Sequence, residues 1–295
     1  MTDFSVFKNR RILITGSTGF KGSWLSAWLA DLDAHVTGLA LPPAPDAPLF
    51  DQLRLAERID QHFIDIRNYD SVAELLGQSK PEIIIHLAAQ ALVRRSYAEP
   101  LETFHTNVTG GINLLEAVRH TPSVRSLVFI TSDKCYRNME WERGYHEDDL
   151  LGGPDPYSAS KGAVELVFTG YQESFYRARP DLIAATARAG NVIGGGDMST
   201  DRIVPDCIRA LRAETAVGVW GTGEVRIEQD PNAPHEATLL MLDSTKAKDG
   251  LGWYPRWDFA TGITRTVEWY KAVDQGADPI EITRAQTDEY EKVSR

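Results

Sequence analysis

Short runs of apolar residues recur along the chain and alternate with longer amphipathic segments. The runs at 11–15, 82–88 and 126–131 are almost continuously apolar, which is typical of strands buried on both faces. Between 101 and 120 apolar residues recur instead every three or four positions, which indicates a helix. By the same criteria we predict further strands at 35–41, 62–65 and 182–187, and helices at 22–32, 70–77, 157–177 and 259–272. Repeated alternation of strand and helix predicts an α/β fold with a doubly wound parallel sheet.

The alternation becomes irregular after residue 190, and this change suggests how the chain is divided. We expect residues 1–190 to form a dinucleotide-binding domain that also carries the catalytic residues. Residues 191–295 would form a smaller substrate-binding region, which opens with the glycine run at 194–196. Its helix at 259–272 is expected to pack back against the core.

Composition restricts the partners that the protein can have. The 295 residues include 42 acidic and 31 basic ones, a net charge of −11, so no overall positive field attracts nucleic acid or an anionic membrane. Two cysteines, Cys135 and Cys207, are too few for a disulfide framework and lack metal-ligand spacing. No apolar run has the length of a signal peptide or a membrane span. We therefore expect a cytoplasmic protein with no metal, nucleic acid or membrane partner.

A glycine motif follows the first predicted strand. Gly16, Gly19 and Gly22 form GxxGxxG at the start of a helix, where backbone N–H groups can approach a pyrophosphate. Taken alone, the motif is also compatible with a simple tight turn. The second strand ends in Leu-Ala-Leu, with no acid for ribose hydroxyls and no arginine for a 2′-phosphate, so NAD is preferred over NADP. The other candidate cofactor-binding residues are Thr18, Phe20, Asp65, Ile66, Leu87, Ala88 and Ala89.

Two of these candidates also have ordinary structural interpretations. Asp65 ends the third predicted strand, where a carboxylate can accept a hydrogen bond from the adenine amino group or instead close a turn. Ala88 follows the fourth strand, where a small residue lines the cofactor or only allows close packing.

Candidate catalytic residues lie further along the chain. Tyr157 and Lys161 are four positions apart in a predicted helix, so both side chains share one face. A nearby ammonium lowers the pKa of a phenol from about 10, which would make Tyr157 a base, although exposed pairs with this spacing are common. Ser132 ends the fifth predicted strand, where its hydroxyl can bind the substrate oxygen or cap the following turn.

Several longer stretches resemble one known family. They include TGSTGFKGSWLSAWL (15–29), HLAAQALVRRSY (86–97), TSDKCY (131–136), GGPDPYSASKGAVEL (152–166) and ARAGNVIGGGD (187–197). Together they resemble the extended short-chain dehydrogenase/reductases, a family of NAD-dependent epimerases and dehydratases with a Rossmann-type fold. Within that family, the resemblance is to the enzymes that dehydrate CDP-glucose.

The resemblance implies a role for each catalytic candidate. Ser132, Tyr157 and Lys161 would oxidise the sugar at C4, and both Tyr157 and Lys161 would also contact NAD. Asp133 would protonate the departing C6 hydroxyl, and Lys134 stands where relatives acting on dTDP-glucose carry a glutamate. The implied reaction is C4 oxidation, elimination of water across C5 and C6, and return of hydride to C6. Without the resemblance, an Asp-Lys pair is usually a solvated loop ion pair.

The substrate's diphosphate needs cationic or amide donors. Asn191 and Arg202 are the first candidates, and Arg94 and Arg188 follow, with structural salt bridges as their alternative role. Gln90 is also expected near the substrate.

Two further expectations come from the resemblance. Asn107 matches the asparagine that fixes the central helix in the family and supports a proton relay. A homodimer is expected through the helices at 101–120 and 157–177.

The chain departs from the family after Leu211. Family members continue through a long stretch that covers the nucleotide and the sugar, and most of it is absent here, with a join near Ala216. A natural shortening, an engineered deletion and a join of two separate segments all remain open.

Two other functions remain open at this point. A sugar-nucleotide 4-epimerase or ketoreductase would use Tyr157 and Lys161 without needing Asp133. A dinucleotide-binding sensor without turnover would need none of the three.

Overall fold

A parallel β-sheet forms the centre of the molecule. The computed structural model describes residues 3–46, 48–213 and 239–293. Within them the sheet has six strands in the order β3-β2-β1-β4-β5-β6. The strands are β1 Arg11–Thr15, β2 His35–Ala40, β3 Asp60–Phe63, β4 Ile83–His86, β5 Ser126–Ile130 and β6 Ile183–Ala187. The predicted doubly wound parallel sheet is confirmed, with β3 lying two residues earlier than expected.

Helices cover both faces of this sheet. The α-helices in the described residues are α1 Phe20–Asp31, α2 Leu49–Gln52, α3 Leu55–Arg58, α4 Tyr69–Ser79, α5 Val93–Ala98, α6 Pro100–Phe104, α7 Gly110–Arg119, α8 Pro156–Ser174, α9 Ile203–Arg212, α10 Thr245–Leu251, α11 Phe259–Asp274 and α12 Pro279–Lys292. Short 3-10 turns span Phe4–Phe7, Asp133–Cys135 and Tyr176–Ala178. The helices predicted at 22–32, 70–77, 157–177 and 259–272 correspond to α1, α4, α8 and α11.

The single helix predicted at 101–120 is wrong in one respect. A π-helical segment, His105–Thr109, separates α6 from α7. Inside it the buried Asn107 side chain accepts a hydrogen bond from the Gln90 N–H at 2.8 Å and donates one to the Gln90 carbonyl at 3.1 Å. A π-turn inside an α-helix frequently marks a functional site, and apolar periodicity alone does not reveal it.

The core has two parts, one on each face of the sheet. On one face α4, α7 and α8 pack together, with Leu76, Leu114 and Val164 almost fully buried. On the other face α12 contacts both α1 and α11, and Trp269 and Tyr270 of α11 are buried. Trp269 and Tyr270 belong to the same buried cluster as Ile12 and Ile14 of β1.

The glycine run at 194–196 is part of this packing. A Cβ on Gly195 would lie 2.0 Å from Cγ of Trp269, and Gly196 has a φ of +79°. The Trp24 indole also donates to the Gly195 carbonyl at 2.8 Å. These glycines therefore let the chain pass between α1 and α11.

The described residues also bear on the expectations about membrane spans, metal sites and cysteines. Across 3–46, 48–213 and 239–293, no helix has the length and apolar character needed to cross a bilayer. In the same ranges no three His, Cys, Asp or Glu side chains cluster as metal ligands would. Both cysteines are free. The join near Ala216 lies outside the described residues.

Candidate active site

A cleft opens at the carboxyl ends of the strands, where β1 and β4 are neighbours and the chain leaves them toward opposite edges of the sheet. Ligands bind at such switch points in open α/β sheets. The cleft has two adjoining parts. The glycine-loop compartment, about 440 Å³, is lined by the loop between β1 and α1 and by the ends of β2, β3 and β4. The catalytic compartment, about 320 Å³, is lined by the segment after β5, the start of α8 and residues 189–194.

The three motif glycines have different roles. Gly16 has a φ of +73°, and its Cβ would lie 2.8 Å from the Ala88 nitrogen. A Cβ on Gly22 would lie 2.0 Å from the Gly16 carbonyl oxygen, so both positions are closed by protein packing. Gly19 meets only the Gly16 oxygen, at 3.4 Å, and lines the compartment. A side chain at Gly19 would take up cleft space at the N-terminus of α1, so this loop fits a pyrophosphate.

A hydrogen-bond network behind the loop fixes the ends of β1 and β4. The Thr15 hydroxyl accepts hydrogen bonds from the Leu87 and Ala88 N–H groups, both at 3.1 Å, and lies 2.6 Å from Nδ1 of His86. Because both acceptor positions of this hydroxyl are occupied, it donates to Nδ1, and the hydrogen of His86 lies on Nε2. Burial and the charge of Lys161 lower the pKa of His86 to about 3. His86 is therefore neutral and anchors the strand ends that support the glycine loop.

The remaining cofactor candidates line the same compartment. The Thr18 hydroxyl donates to the Leu41 carbonyl at 2.9 Å, which ties the loop to the end of β2. Asp65 faces the cleft, but its carboxylate also accepts from the Arg67 backbone and guanidinium, which lowers its pKa. The turn-closing role of Asp65 is thus present. Phe20, Ile66, Leu87, Ala88 and Ala89 line the glycine-loop compartment as well.

Ser132, Asp133 and Lys134 enter the catalytic compartment directly after β5. The Ser132 hydroxyl donates to the Asp133 carboxylate at 2.9 Å and accepts from the Lys134 N–H at 3.2 Å, so it also caps the 3-10 turn. Asp133 is 9% exposed, and burial raises its pKa. A carboxyl with a raised pKa holds its proton more readily, which suits a proton donor.

Tyr157 and Lys161 face the same compartment from the first turns of α8. Both are buried, and the Lys161 ammonium lies 5.8 Å from the centre of the Tyr157 ring. Burial raises the pKa of Tyr157, although the Ser132 hydrogen bond and the charge of Arg202 oppose this. The expected lowering is therefore wrong, because desolvation of the phenol outweighs the charges around it. Burial also lowers the pKa of Lys161, to about 8.

Asn107 connects the π-helical segment to the catalytic helix. Its amide donates to the Ser160 hydroxyl at 2.9 Å, and that hydroxyl donates to the Tyr157 carbonyl at 2.7 Å. Its other bonds hold Gln90, which lines the glycine-loop compartment and not the catalytic one. The geometry therefore favours a supporting role for Asn107, and places Gln90 toward the cofactor.

The candidate diphosphate ligands separate into two groups. Arg94, Asn191 and Arg202 line the catalytic compartment. Arg188 lines neither compartment, because its guanidinium donates to both carboxylate oxygens of the buried Glu165, at 3.0 and 2.9 Å. Of the two roles considered for Arg188, the structure favours the structural salt bridge.

Two residues that sequence reasoning missed stand between the compartments. Lys21 and Asp197 line both of them. Lys21 was detectable in principle, since it is a charged residue inside the GxxGxxG motif between Phe20 and Gly22. Asp197 follows the glycine run with no distinctive spacing, so only the fold brings it to the cleft.

Comparisons with known proteins identify the family. Residues 12–228 match the model of the NAD dependent epimerase/dehydratase family. The chain is 37% identical to the CDP-glucose 4,6-dehydratase of Salmonella typhimurium, over 98% of each protein. It is 28% identical to a probable dTDP-glucose 4,6-dehydratase of Sinorhizobium fredii, over 88% of this chain and 92% of that one.

Solved structures share the fold. A dTDP-glucose 4,6-dehydratase double mutant from Streptomyces venezuelae, crystallised with NAD, superposes with a TM-score of 0.75 at 21% identity, covering 91% of this chain and 99% of the other. A UDP-glucose 4-epimerase from Thermotoga maritima gives the same TM-score at 20% identity, over 89% and 99%.

The alignment with the Salmonella enzyme also measures the internal shortening. It runs over 354 positions, whereas this chain has 295 residues, so at least 59 positions of the alignment have no residue here. The match nevertheless includes the glycine loop and the segments that carry Ser132, Tyr157 and Lys161. The resemblance inferred from the sequence is confirmed: the chain belongs to the NAD dependent epimerase/dehydratase family.

Proposed function

We propose that this protein dehydrates CDP-glucose to CDP-4-keto-6-deoxyglucose and water, with NAD recycled within each turnover. The Salmonella relative supports the substrate. The observation that carries the dehydratase chemistry is Asp133, a buried acid hydrogen-bonded to Ser132 at the wall that also holds Tyr157. A 4-epimerase or ketoreductase has no use for a proton donor at this place.

The glycine-loop compartment fits NAD. Gly19 and the first turn of α1 would hold the pyrophosphate, Asp65 the adenine, and Lys161 the nicotinamide ribose. Among the described residues the Lys161 ammonium has no hydrogen-bond or ion-pair partner, so its three donors are free for ribose hydroxyls. Bound NAD supplies a hydride acceptor for the C4 hydrogen and a donor that returns it to C6.

Tyr157 and Ser132 act on the C4 hydroxyl. Tyr157 takes the hydroxyl proton as C4 is oxidised, and Ser132 orients the same oxygen through a hydrogen bond. Because burial raises the pKa of Tyr157, the phenolate depends on the positive charges of Lys161 and Arg202 nearby. Lys161 therefore has two tasks, one toward the cofactor and one toward Tyr157.

Asp133 and Lys134 act on C5 and C6. The new C4 ketone acidifies the C5 proton, and its loss expels the C6 hydroxyl, which leaves as water with the proton from Asp133. We assign the C5 proton to Lys134, which takes it up during the elimination and returns it to C5 when hydride adds to C6. Burial raises the pKa of Asp133, which favours a proton donor at this place.

We also infer a division of labour along the chain. Residues 1–190 supply the cofactor site and the catalytic side chains, and 191–295 bind the nucleotide sugar through Asn191 and Arg202. A cytoplasmic location is consistent with two free thiols, Cys135 and Cys207.

A homodimer completes the proposal. The helices expected at the interface expose large apolar residues: Leu101 is 67% exposed to solvent and Leu166 is 64% exposed. These positions lie on α6 and α8, in the two segments predicted to meet a second copy. Light scattering is expected to give a dimer for the native chain and a monomer for Leu166→Glu.

The experiment that tests the function supplies the purified protein with NAD and one of four sugar nucleotides, CDP-, dTDP-, UDP- or GDP-glucose. A 4-keto-6-deoxy product is revealed by the ultraviolet absorbance that it develops in alkali. We expect product from CDP-glucose. A 4-epimer in its place, or no product from any of the four although NAD binds, would overturn the dehydratase assignment.

A further inference from the structure

Lys21 occupies the junction of the two compartments. It is the second residue of α1, and its side chain lines both the glycine-loop compartment and the catalytic one. Arg202, the residue before α9, also lines both compartments. Two long cationic side chains from separate elements therefore face one shared space.

The charge of Lys21 has no protein counterion. Among the described residues it makes no ion pair and no side-chain hydrogen bond. Its charged neighbours are Arg202 and Lys161, both positive, and burial together with Arg202 lowers the pKa of Lys21. An ammonium placed this way is costly unless an anion compensates it.

The acids nearby do not supply that compensation. Asp197 approaches Arg202 only at 3.9 Å, and its Oδ1 already accepts from the Ser199 hydroxyl and N–H, at 2.7 and 3.0 Å. Asp133 lines only the catalytic compartment, and its carboxylate accepts from the Ser132 hydroxyl at 2.9 Å. Within the described part of the chain, Arg202 thus has one distant acidic partner, and the Lys21 ammonium has none.

We propose that Lys21 and Arg202 form a two-cation clamp that binds a diphosphate at the junction of the compartments. Lysine supplies a compact charge and arginine a planar fork, and together they match the oxygens of two linked phosphates. The inference rests on the proposed function, which brings two such groups to the cleft, the pyrophosphate of NAD and the diphosphate of the sugar nucleotide. Both have the same chemistry, and the experiment separates them.

The test compares Lys21→Met, which keeps a stem of similar length without the charge, with Lys21→Arg, which keeps a charge. Calorimetric titrations with CDP and, separately, with NAD measure affinity without turnover. We expect Lys21→Met to weaken binding of at least one ligand about tenfold to a hundredfold, as loss of a charge-assisted hydrogen bond does. Lys21→Arg is expected to retain most of that affinity. A loss confined to CDP identifies the substrate's diphosphate, and a loss confined to NAD identifies the cofactor's.

Controls separate charge from structure. Lys271→Met removes an exposed lysine on α11 that lines neither compartment, and it is expected to bind both ligands like the native protein. If Lys21→Met does not fold, Lys21→Gln takes its place. In the native protein, added salt should weaken diphosphate binding more steeply than in the uncharged variant.

Two results would overturn the clamp. One is a folded Lys21→Met or Lys21→Gln protein that binds CDP and NAD within twofold of the native affinities. The other is a salt dependence identical in the native and uncharged proteins. If CDP and NAD bind as expected but CDP-glucose is not converted, the clamp stands and the proposed reaction fails, so the two failures are distinguishable.

Discussion

Ser132 donates a hydrogen bond to the Asp133 carboxylate at 2.9 Å, and both side chains are buried in the wall of the catalytic compartment. The bond holds the carboxyl in place, and burial raises its pKa. We therefore expect Asp133→Asn, which keeps the shape and loses the transferable proton, to lower turnover of CDP-glucose about 10² to 10⁴-fold. Stopped-flow absorbance of NADH should show C4 oxidation continuing, with reduced cofactor accumulating during a turnover. If Asp133→Asn slowed C4 oxidation as much as it slowed overall turnover, the role given to Asp133 would be contradicted.

The Lys161 ammonium is expected to reduce stability at neutral pH. Its pKa falls from 10.5 in the unfolded chain to about 8 in the folded one, because burial disfavours the charge. The unfolded state thus binds more protons between pH 8 and 10.5, and stability rises with pH across that window. Lys161→Met should be inactive yet more stable than the native protein at pH 7, by about 3 kcal/mol.

Urea unfolding at pH 7, 8, 9 and 10 measures this difference. The advantage of Lys161→Met is expected to shrink as pH rises above 8, since the native lysine then loses its proton. A constant advantage across the series would show that the ammonium is not the cause.

His86 is expected to make the unfolding free energy depend on pH in the acid range. Its pKa is about 3 when folded, below the ordinary 6.5, so protonation in the unfolded chain draws the equilibrium toward unfolding as pH falls from 6.5 to 3. His86→Asn keeps an acceptor near the position of Nδ1 and cannot titrate. Over this range the native protein should lose stability more steeply than the variant, by about 1.4 kcal/mol per pH unit. Parallel slopes for the two proteins would refute a neutral buried imidazole.

Removing the charge of Arg188 should lower the stability of the protein, whereas removing that of Arg94 should weaken ligand binding. Arg188 pairs with the buried Glu165, so Arg188→Met leaves an unpaired buried carboxylate and should cost about 3 to 5 kcal/mol of unfolding free energy. Arg94 pairs with Asp201 in an exposed position, so Arg94→Met should cost less than about 1 kcal/mol. Arg94 lines the cleft, and its loss should weaken CDP-glucose binding. Thermal melts measure the stability of the two variants, and titrations with CDP-glucose measure its binding to Arg94→Met. Unchanged stability in Arg188→Met would reject the structural role of Arg188.

The strand pattern and the motifs predicted most of the fold and much of the site. Continuous apolar runs identified β1, β4 and β5, whose residues are all buried or half-buried except Arg11. The GxxGxxG and YxxxK spacings identified residues that line the cleft. The π-turn at Asn107 escaped prediction, because it depends on hydrogen bonds to Gln90, 17 positions away.

Long-range pairing explains the other differences. Arg188 was considered for the diphosphate because arginine suits phosphate, but Glu165, 23 positions earlier on α8, holds it. The pKa of Tyr157 also moved opposite to expectation, since the spacing predicted a nearby charge and not the degree of burial. The significance of Lys21 depends on the fold, which brings it to the same cleft as Arg202.

The most direct test of the central claim follows the hydrogen at C4. CDP-glucose deuterated at C4 is incubated with the protein and NAD, and the product is analysed by mass spectrometry and NMR. If the protein oxidises C4, eliminates water and returns the same hydride, the deuterium should appear at C6 of a 4-keto-6-deoxy sugar. Deuterium retained at C4 of an epimer, or a sugar recovered unchanged, would contradict the account.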